Sequence, residues 1–162
     1  VTTWLPILIE RFATDRLRAL AHVEGKTTRD VPVIVFLCVH NAGRSQMAAG
    51  WARHLAADRV EVFSGGSDPA SEVNPAAVAA MADAGVDISR ELPQPWTDEI
   101  VKAADVVVTM GCGDACPLFP GVRYEDWDLP DPAGLRVDEV LPIRDEIRRR
   151  VEDLLEGLGV AR

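Results

Sequence analysis

Hydrophobic positions in this chain follow two patterns, short continuous apolar runs and longer stretches with helical spacing. A continuous apolar run covers residues 32–39, a second buried strand is predicted at 104–110, and shorter strands are predicted at 60–63 and 121–127. Runs of this length are typical of strands that are buried on both faces of a parallel sheet. Helical spacing covers residues 44–57, 75–84, 97–104 and 137–158. Because strands and helices alternate, the pattern predicts an α/β fold with an open parallel four-stranded sheet and helices on both faces.

The first 30 residues show a separate pattern, which predicts an amphipathic helix followed by a linker. Apolar residues recur at helical spacing from Leu5 to Val23, charged residues stand between them, and Gly25 ends the segment. The predicted apolar stripe consists of Leu8, Ile9, Phe12, Leu17, Leu20 and Val23. A lone helix cannot bury such a stripe by itself. We therefore expect it to pack on the main body (residues 31–162), on a second copy of the chain or on a missing segment.

Length, charge and cysteine content restrict the classes of function. The 162 residues correspond to about one domain. With 26 acidic residues against 17 basic ones, the formal charge of −9 argues against binding to nucleic acid or to an anionic membrane. The apolar runs are far shorter than the roughly 18 residues that span a bilayer. Three cysteines, an odd number in a chain without a recognisable secretion signal, favour the cytoplasm and thiol chemistry over a disulfide framework.

The loop after the first predicted strand holds the best candidate for chemistry. Cys38 ends the strand, and Arg44 and Ser45 begin a helix after five intervening residues. Open α/β sheets bind ligands at this edge. Five residues curled around an oxyanion can direct successive backbone N–H groups inward. The predicted oxyanion-binding residues are Val39, His40, Asn41, Ala42, Gly43 and Arg44.

Each side chain of this loop has an expected role. The planar guanidinium of Arg44 suits two oxygens of a tetrahedral oxyanion. The N–H donors and the helix N-terminus favour the thiolate of Cys38, which is the nucleophilic form, and Ser45 can donate its hydroxyl proton to the same sulfur. His40 is interpreted as part of the loop scaffold and not as a base. The alternative is a buried structural cysteine beside an ordinary arginine.

The spacing from Cys38 to Arg44-Ser45 resembles the signature loop of the low-molecular-weight protein tyrosine phosphatases and of the arsenate reductases built on the same fold. The resemblance extends from about Val31 to the C-terminus, so residues 31–162 are expected to form a phosphatase-like domain, with residues 1–30 outside it. It implies an enzyme, either an arsenate reductase of arsenical resistance or a phosphatase that forms a phosphocysteine intermediate. A noncatalytic arsenic- or redox-sensing protein that docks through its N-terminal helix is a third hypothesis.

The segment after the fourth predicted strand contains a candidate general acid. Prolines on both sides of Asp131 restrict its backbone. The resembled family has an Asp-Pro at this point of the chain and uses its aspartate as the acid, so the role is carried to Asp131, with Asp128 as the second choice. Arsenate reductases commonly have Asp-Pro-Ala here and the phosphatases Asp-Pro-Tyr. Ala133 therefore favours the reductase.

Cys112 and Cys116 follow the third predicted strand, at the same edge of the sheet as Cys38. A spacing of four on one helical turn would place both sulfurs on the same side, and Gly111 and Gly113 would allow the segment to rearrange. A zinc ion would need four ligands, and only distant histidines accompany these cysteines, so we expect no metal site. Two buried structural cysteines are the other alternative.

The resemblance to the arsenate reductases implies a relay through all three cysteines. Cys38 attacks arsenate and releases water or hydroxide with help from Asp131. Cys112 then attacks Cys38 and expels arsenite, and Cys116 passes the disulfide outward as Cys112–Cys116. The relatives imply no bound cofactor but an external thiol reductant, either thioredoxin or mycothiol with mycoredoxin. With mycothiol as the reductant, Cys112 and Cys116 would be spectators.

Overall fold

In the computed structural model, which describes residues 5–26 and 30–160, four parallel strands form the centre of the fold. They are β1 (Val33–Cys38), β2 (Glu61–Gly66), β3 (Val106–Met110) and β4 (Arg123–Asp126). Their order is β2-β1-β3-β4, and each neighbouring pair is parallel. Every residue of β1 is buried, as its uninterrupted apolar sequence requires of a central strand. The predicted four-stranded parallel sheet is confirmed.

Helices cover both faces of the sheet, also as predicted. One face holds α2 (Arg44–Ala56), α3 (Pro75–Asp83) and α5 (Val137–Gly157), and the other holds α1 (Leu5–Val23) and α4 (Asp98–Lys102). Because side chains alternate along a strand, β1 contributes to both cores. Ile34, Phe36 and Cys38 pack on the α2 side, whereas Val33, Val35 and Leu37 pack on the α1 side. Within the described ranges, none of the helices combines the length and apolar composition that a membrane crossing requires.

Local signals fix the helix ends. The side chain of Asn74 accepts hydrogen bonds from Ala76 N at 2.8 Å and Ala77 N at 3.3 Å, which caps α3 as its sequence predicts. The helix predicted for residues 97–104 ends sooner, at Lys102. The chain must turn there into β3, because Asp105 N already donates to the carbonyl of Val33 at 2.9 Å.

Helix α1 packs on the main body, against α4. Ala19 is fully buried at this contact, and Arg16 Nη2 lies 2.9 Å from Glu99 Oε1. The pKa of Glu99 lies below its ordinary value, first because of a backbone hydrogen bond at its own N–H and then because of the hydrogen bond from Arg16. The expectation of packing on a second copy or on a missing segment gains no support.

The predicted apolar stripe of α1 is not the face that meets the body. Leu17 is 66% exposed and Ile9 is 60% exposed, and only Leu8 and Phe12 of the stripe are half-buried. The docked face lies to one side of the stripe and includes Arg11, Asp15 and Ala19. The prediction from periodicity was wrong here because α1 rests partly on polar groups of the loop 90–94, namely the carbonyl of Arg90 and the side chains of Glu91 and Gln94, which its charged side chains suit better than apolar ones do.

Candidate active site

The loop between β1 and α2, residues 38–45, lies at the carboxyl edge of the sheet; we call it the oxyanion loop. Cys38 ends β1 and is paired with Gly66 and Met110, the last residues of the flanking strands. The chain passes from β1 to β2 on one side and reaches β3 on the other, so the loop lies at the switch point where such sheets bind ligands.

Hydrogen bonds hold the carbonyl groups of the oxyanion loop on its outer side. The acceptor–donor pairs are Val39 O with Asp68 N (2.9 Å), His40 O with Ala70 N (2.9 Å), Asn41 O with Gln46 Nε2 (3.0 Å), Ala42 O with Asn74 N (2.8 Å), and Gly43 O with Met47 N (2.9 Å). In a trans peptide the N–H group points opposite to the carbonyl. The N–H groups of residues 40–44 are therefore directed inward, which is the geometry the predicted oxyanion site needs.

The sulfur of Cys38 is buried beneath this loop and receives two donors. Asn41 N lies 3.2 Å from Sγ, and Ser45 Oγ lies 2.9 Å from it. Asn41 has a φ of 48°, in the left-handed region that asparagine tolerates better than most residues, and this conformation turns its N–H toward the sulfur. Both contacts place a hydrogen-bond donor at the sulfur.

The direction of the hydrogen bond between Ser45 and Cys38 follows from the partners of Asn41. Gln94 N can only donate, and it lies 3.0 Å from Asn41 Oδ1. The amide of Asn41 is thereby oriented with Nδ2 toward Ser45 Oγ, at 2.8 Å. Ser45 Oγ accepts this bond and is left to donate its own proton to Cys38 Sγ. Gln46, fully buried, adds a second donor to Asn41 Oδ1 at 3.1 Å.

Arg44 and Asp131 face each other across the mouth of the loop. Arg44 is held by a hydrogen bond from Nη1 to the carbonyl of Leu129 at 3.2 Å, and its side chain is only 12% exposed. Arg44 Nη2 lies 3.5 Å from Asp131 Oδ2, on a side chain that is 54% exposed. The second oxygen, Oδ1, accepts from Ala133 N at 3.0 Å, which fixes the carboxyl group within its turn.

Close packing of Gly43 and Pro132 places the segment of Asp131 over the loop. A Cβ atom at Gly43 would lie 2.5 Å from Pro132 Cγ, so only glycine permits this approach. Asp128, the second choice as acid, is exposed, and its carbonyl accepts a hydrogen bond from Arg150 of α5 at 3.3 Å. Of the two candidates, the structure brings Asp131 to the oxyanion loop.

His40 lies at the rim and not at the sulfur. Its side chain is exposed, and Nδ1 is 2.9 Å from the carbonyl of Asp68. This contact ties the oxyanion loop to residue 68, in agreement with the scaffold role expected from the sequence.

The other two cysteines form a disulfide with each other, and Cys38 is free. The expected α-helical turn is absent, since Gly111 and Gly113 have φ values of 80° and 53° that an α-helix does not allow. The segment instead forms a short 3₁₀ turn, Gly113–Ala115, in which Ala115 N donates to Cys112 O at 3.2 Å and Cys116 N to Gly113 O at 3.3 Å. The predicted proximity of the two sulfurs is nevertheless present, as a covalent bond. Across residues 5–26 and 30–160, no group of three or more His, Cys, Asp or Glu side chains could hold a metal ion.

The disulfide and Cys38 lie on opposite faces of the sheet. Cys112 and Cys116 pack with Leu37 in the core on the α1 side, whereas Cys38 belongs to the core on the α2 side. Residues 111–116, which carry the disulfide, nevertheless begin next to the oxyanion loop, since a Cβ at Gly111 would lie 2.9 Å from Arg44 Nη1. A direct contact between the sulfurs of Cys112 and Cys38 would therefore require residues 111–116 to move.

Comparison with known proteins identifies the family. The family model described as low molecular weight phosphotyrosine protein phosphatase matches residues 33–161. The chain belongs to this family. Its resemblance to the family, first seen at Cys38 and Arg44, is thus confirmed. Among relatives, arsenate reductase 2 of Staphylococcus haemolyticus is 41% identical over 127 residues, which make up 76% of this chain and 95% of that protein.

Solved structures of arsenate reductases match the fold as well. The thioredoxin-dependent arsenate reductase of Corynebacterium glutamicum has a TM-score of 0.85 and 46% identity, and the match covers 98% of this chain and 76% of that chain. An arsenate reductase in the phosphate binding state has a TM-score of 0.69 and 32% identity, with 79% of this chain and 99% of that chain covered.

Sequence reasoning missed the residues that orient Asn41. Gln94 is 53 positions away from Asn41 along the chain, and it acts through its backbone N–H, so no side-chain motif marks it. Gln46 could have been noticed, because it is a polar residue on the buried face of α2, directly after Arg44 and Ser45. A buried amide on such a face needs partners, and Asn41 of the oxyanion loop supplies acceptors for its nitrogen Nε2.

Replacement of Ser45 tests the direction of the hydrogen bond to Cys38. Ser45→Ala removes the hydroxyl donor, and we expect alkylation of Cys38 by iodoacetamide at pH 7 to slow by about tenfold, the effect of one hydrogen bond to a charged group. The rate is measured by mass spectrometry of the Cys38 peptide. The exposed Ser71→Ala is the matched control and should leave the rate unchanged. Equal rates in both variants would contradict the assignment.

Replacement of Gly43 tests the packing beneath Asp131. In Gly43→Ala the added methyl group meets Pro132, and we expect the free energy of unfolding to fall by about 1–3 kcal/mol, as is typical of an overpacked site. Urea denaturation measures this difference. Gly157→Ala is the control, because a Cβ there meets nothing within 4 Å. A stability of Gly43→Ala equal to that of the control would show that the segment moves aside freely.

Proposed function

We propose that this chain reduces arsenate to arsenite with Cys38 as the nucleophile. One observation supports this function above all others: a buried free cysteine beneath an oxyanion loop and a separate disulfide pair occur at the same edge of the sheet. Phosphoester hydrolysis needs only the first of these. The relatives named arsenate reductase, among them one at 46% identity over nearly the whole chain, support the same function.

The first step binds arsenate in the oxyanion loop. The inward N–H groups and the guanidinium of Arg44 neutralise its charge and orient it. Cys38 Sγ forms a bond to arsenic, and one arsenic–oxygen bond breaks. The departing oxygen leaves as water after taking a proton from Asp131, whose carboxyl group stands beside Arg44. The product is a thiol–arsenate adduct.

The second step transfers electrons to arsenic. The thiolate of Cys112 attacks Cys38 Sγ, a sulfur–sulfur bond forms, and the pair of the sulfur–arsenic bond stays on arsenic, which leaves as arsenite. Cys116 then attacks Cys112, and Cys38 departs as a thiolate. The positive φ angles of Gly111 and Gly113 suit a segment that must change its position between these steps. The Cys112–Cys116 disulfide with a free Cys38 corresponds to the end of this sequence.

An external dithiol closes the cycle by reducing the Cys112–Cys116 disulfide. A thioredoxin-like reductant is proposed because the relative from Corynebacterium glutamicum is described as thioredoxin-dependent. Mycothiol with mycoredoxin is the alternative reductant. Either would place the protein in the cytoplasm, where such thiols are kept reduced.

A phosphatase acting through phosphocysteine is the second candidate. The oxyanion loop, Arg44 and Asp131 would serve it equally well, and the family model is named for this activity. It leaves the pair Cys112 and Cys116 without a role.

Replacement of the cysteines one at a time separates the steps. Arsenite release and NADPH oxidation are both measured with arsenate, thioredoxin and thioredoxin reductase, and with phosphate as the control oxyanion. We expect Cys38→Ser to release no arsenite, Cys112→Ser to release none with thioredoxin, and Cys116→Ser to release one equivalent per chain and then stop. Full turnover by Cys112→Ser with thioredoxin would exclude the relay.

The wild-type protein in the same assay identifies the reductant. Arsenate-dependent NADPH oxidation with thioredoxin would establish the proposed route. Turnover only with mycothiol and mycoredoxin would replace it with the alternative reductant. Rapid hydrolysis of an aryl phosphate, with no arsenate reduction by either system, would favour the phosphatase.

The acid is tested by Asp131→Asn, which keeps the shape of the side chain and removes its transferable proton. We expect kcat for arsenate reduction to fall by about 100-fold or more, within the usual range for a general acid. Asp128→Asn is the matched control and should change kcat by less than about twofold. The opposite ranking of the two variants would assign the role to Asp128.

A further inference from the structure

We infer that helix α1 positions the nucleophile, through a hydrogen-bond path from Asp15 to Cys38. Helix α1 lies outside the residues that the family model matches, so the family's loop alone does not account for it. The inference rests on the proposed function only in taking Cys38 as the nucleophile.

The path runs through residues 90–96, which we call the strap. The strap crosses the end of β2, where Gly66 N donates to the carbonyl of Gln94 at 2.9 Å and Gly66 forms a bridge with Pro95. On its inner side, the strap presents Gln94 N to Asn41 Oδ1. This is the donor that orients the amide of Asn41 and, through it, the hydroxyl of Ser45.

Helix α1 holds the outer side of the strap. Arg11 donates from Nη1 to the carbonyl of Arg90 at 3.2 Å and forms an ion pair with Glu91. One turn further, Asp15 Oδ2 accepts from Gln94 Nε2 at 3.2 Å. The same nitrogen also donates to the carbonyl of Ser64 at 3.1 Å, which confirms that the amide nitrogen, and not its oxygen, faces Asp15.

Asp15 and Asn41 thus contact the same residue from opposite sides. The carboxylate fixes the side chain of Gln94, and the backbone of Gln94 fixes the amide of Asn41. Gln94 N is one of two donors to Asn41 Oδ1, the other being Gln46 Nε2, so displacement of Gln94 loosens the orientation of the Asn41 amide. The hydrogen bond from Asn41 to Ser45, which directs the proton of Ser45 to Cys38, would weaken in turn. Asp15 is a positioning residue, since it touches neither substrate nor sulfur.

The test compares three substitutions in the full chain, purified in its oxidised form so that Cys38 is the free thiol. Asp15→Leu removes the acceptor and should slow alkylation of Cys38 by iodoacetamide at pH 7 by about fivefold, the effect of one hydrogen bond. Asp15→Asn keeps an acceptor oxygen for Gln94 and should stay within about twofold of wild type. Arg16→Ala breaks the contact of α1 with Glu99 without touching the strap, and should not change the rate.

A double substitution shows whether the effect passes through Gln94. Gln94→Leu should slow alkylation about as much as Asp15→Leu, and the pair together should be no slower than either alone, because both break one path. Equal rates for wild type and Asp15→Leu would overturn the inference. Equal slowing by Asp15→Leu and Arg16→Ala would also overturn it, since the effect would then reflect loosening of α1 as a whole.

The readout is independent of arsenate chemistry. Alkylation needs only the thiol, and protection by inorganic phosphate reports that the oxyanion loop is formed. A lack of arsenate-dependent NADPH oxidation would count against the proposed function. Alkylation of Cys38 at the wild-type rate in Asp15→Leu would instead count against α1 as a positioning element.

Discussion

The oxyanion loop depends on where its peptide carbonyls are held. Residues 68–74, the side chain of Gln46 and the first turn of α2 bind them on the outside, and the N–H groups of residues 40–44 point inward as a result. The same constraint places Asn41 in the left-handed region and turns its N–H toward Cys38. Binding of an oxyanion and the hydrogen bond from Asn41 N to the Cys38 sulfur therefore have one structural cause.

The hydrogen-bond network around Cys38 extends well beyond the oxyanion loop. A backbone N–H of the strap decides which way an asparagine amide faces, and this decides which atom donates between Ser45 and Cys38. Helix α1 lies on the opposite face of the sheet from α2 and contacts this hydrogen-bond network through Gln94. Helix α1, which lies outside the residues that the family model matches, thus supports the oxyanion loop through this contact.

The sheet, the helix order and the positions of Cys38 and Arg44 could be predicted from the sequence because each depends on local pattern. Continuous apolar runs mark buried strands, and the spacing of a strand-ending cysteine and an arginine marks an anion loop. The docking face of α1 could not be predicted, since periodicity identifies an apolar stripe but not the polar groups of the strap that the helix meets. Gln94 was missed because its partners are distant in sequence. The turn at Cys112 was misjudged because Gly111 and Gly113 adopt positive φ angles, which interrupt an α-helical turn.

The placement of Cys38 and the disulfide on opposite faces of the sheet has a chemical consequence. A thiolate beside a disulfide equilibrates with it, because exchange needs only direct, in-line approach of the sulfurs. Here the two lie in the cores on opposite faces of the sheet, so attack of Cys38 on the disulfide requires residues 111–116 to move first. The Cys112–Cys116 disulfide therefore persists until an external dithiol reduces it, while Cys38 remains a free thiol.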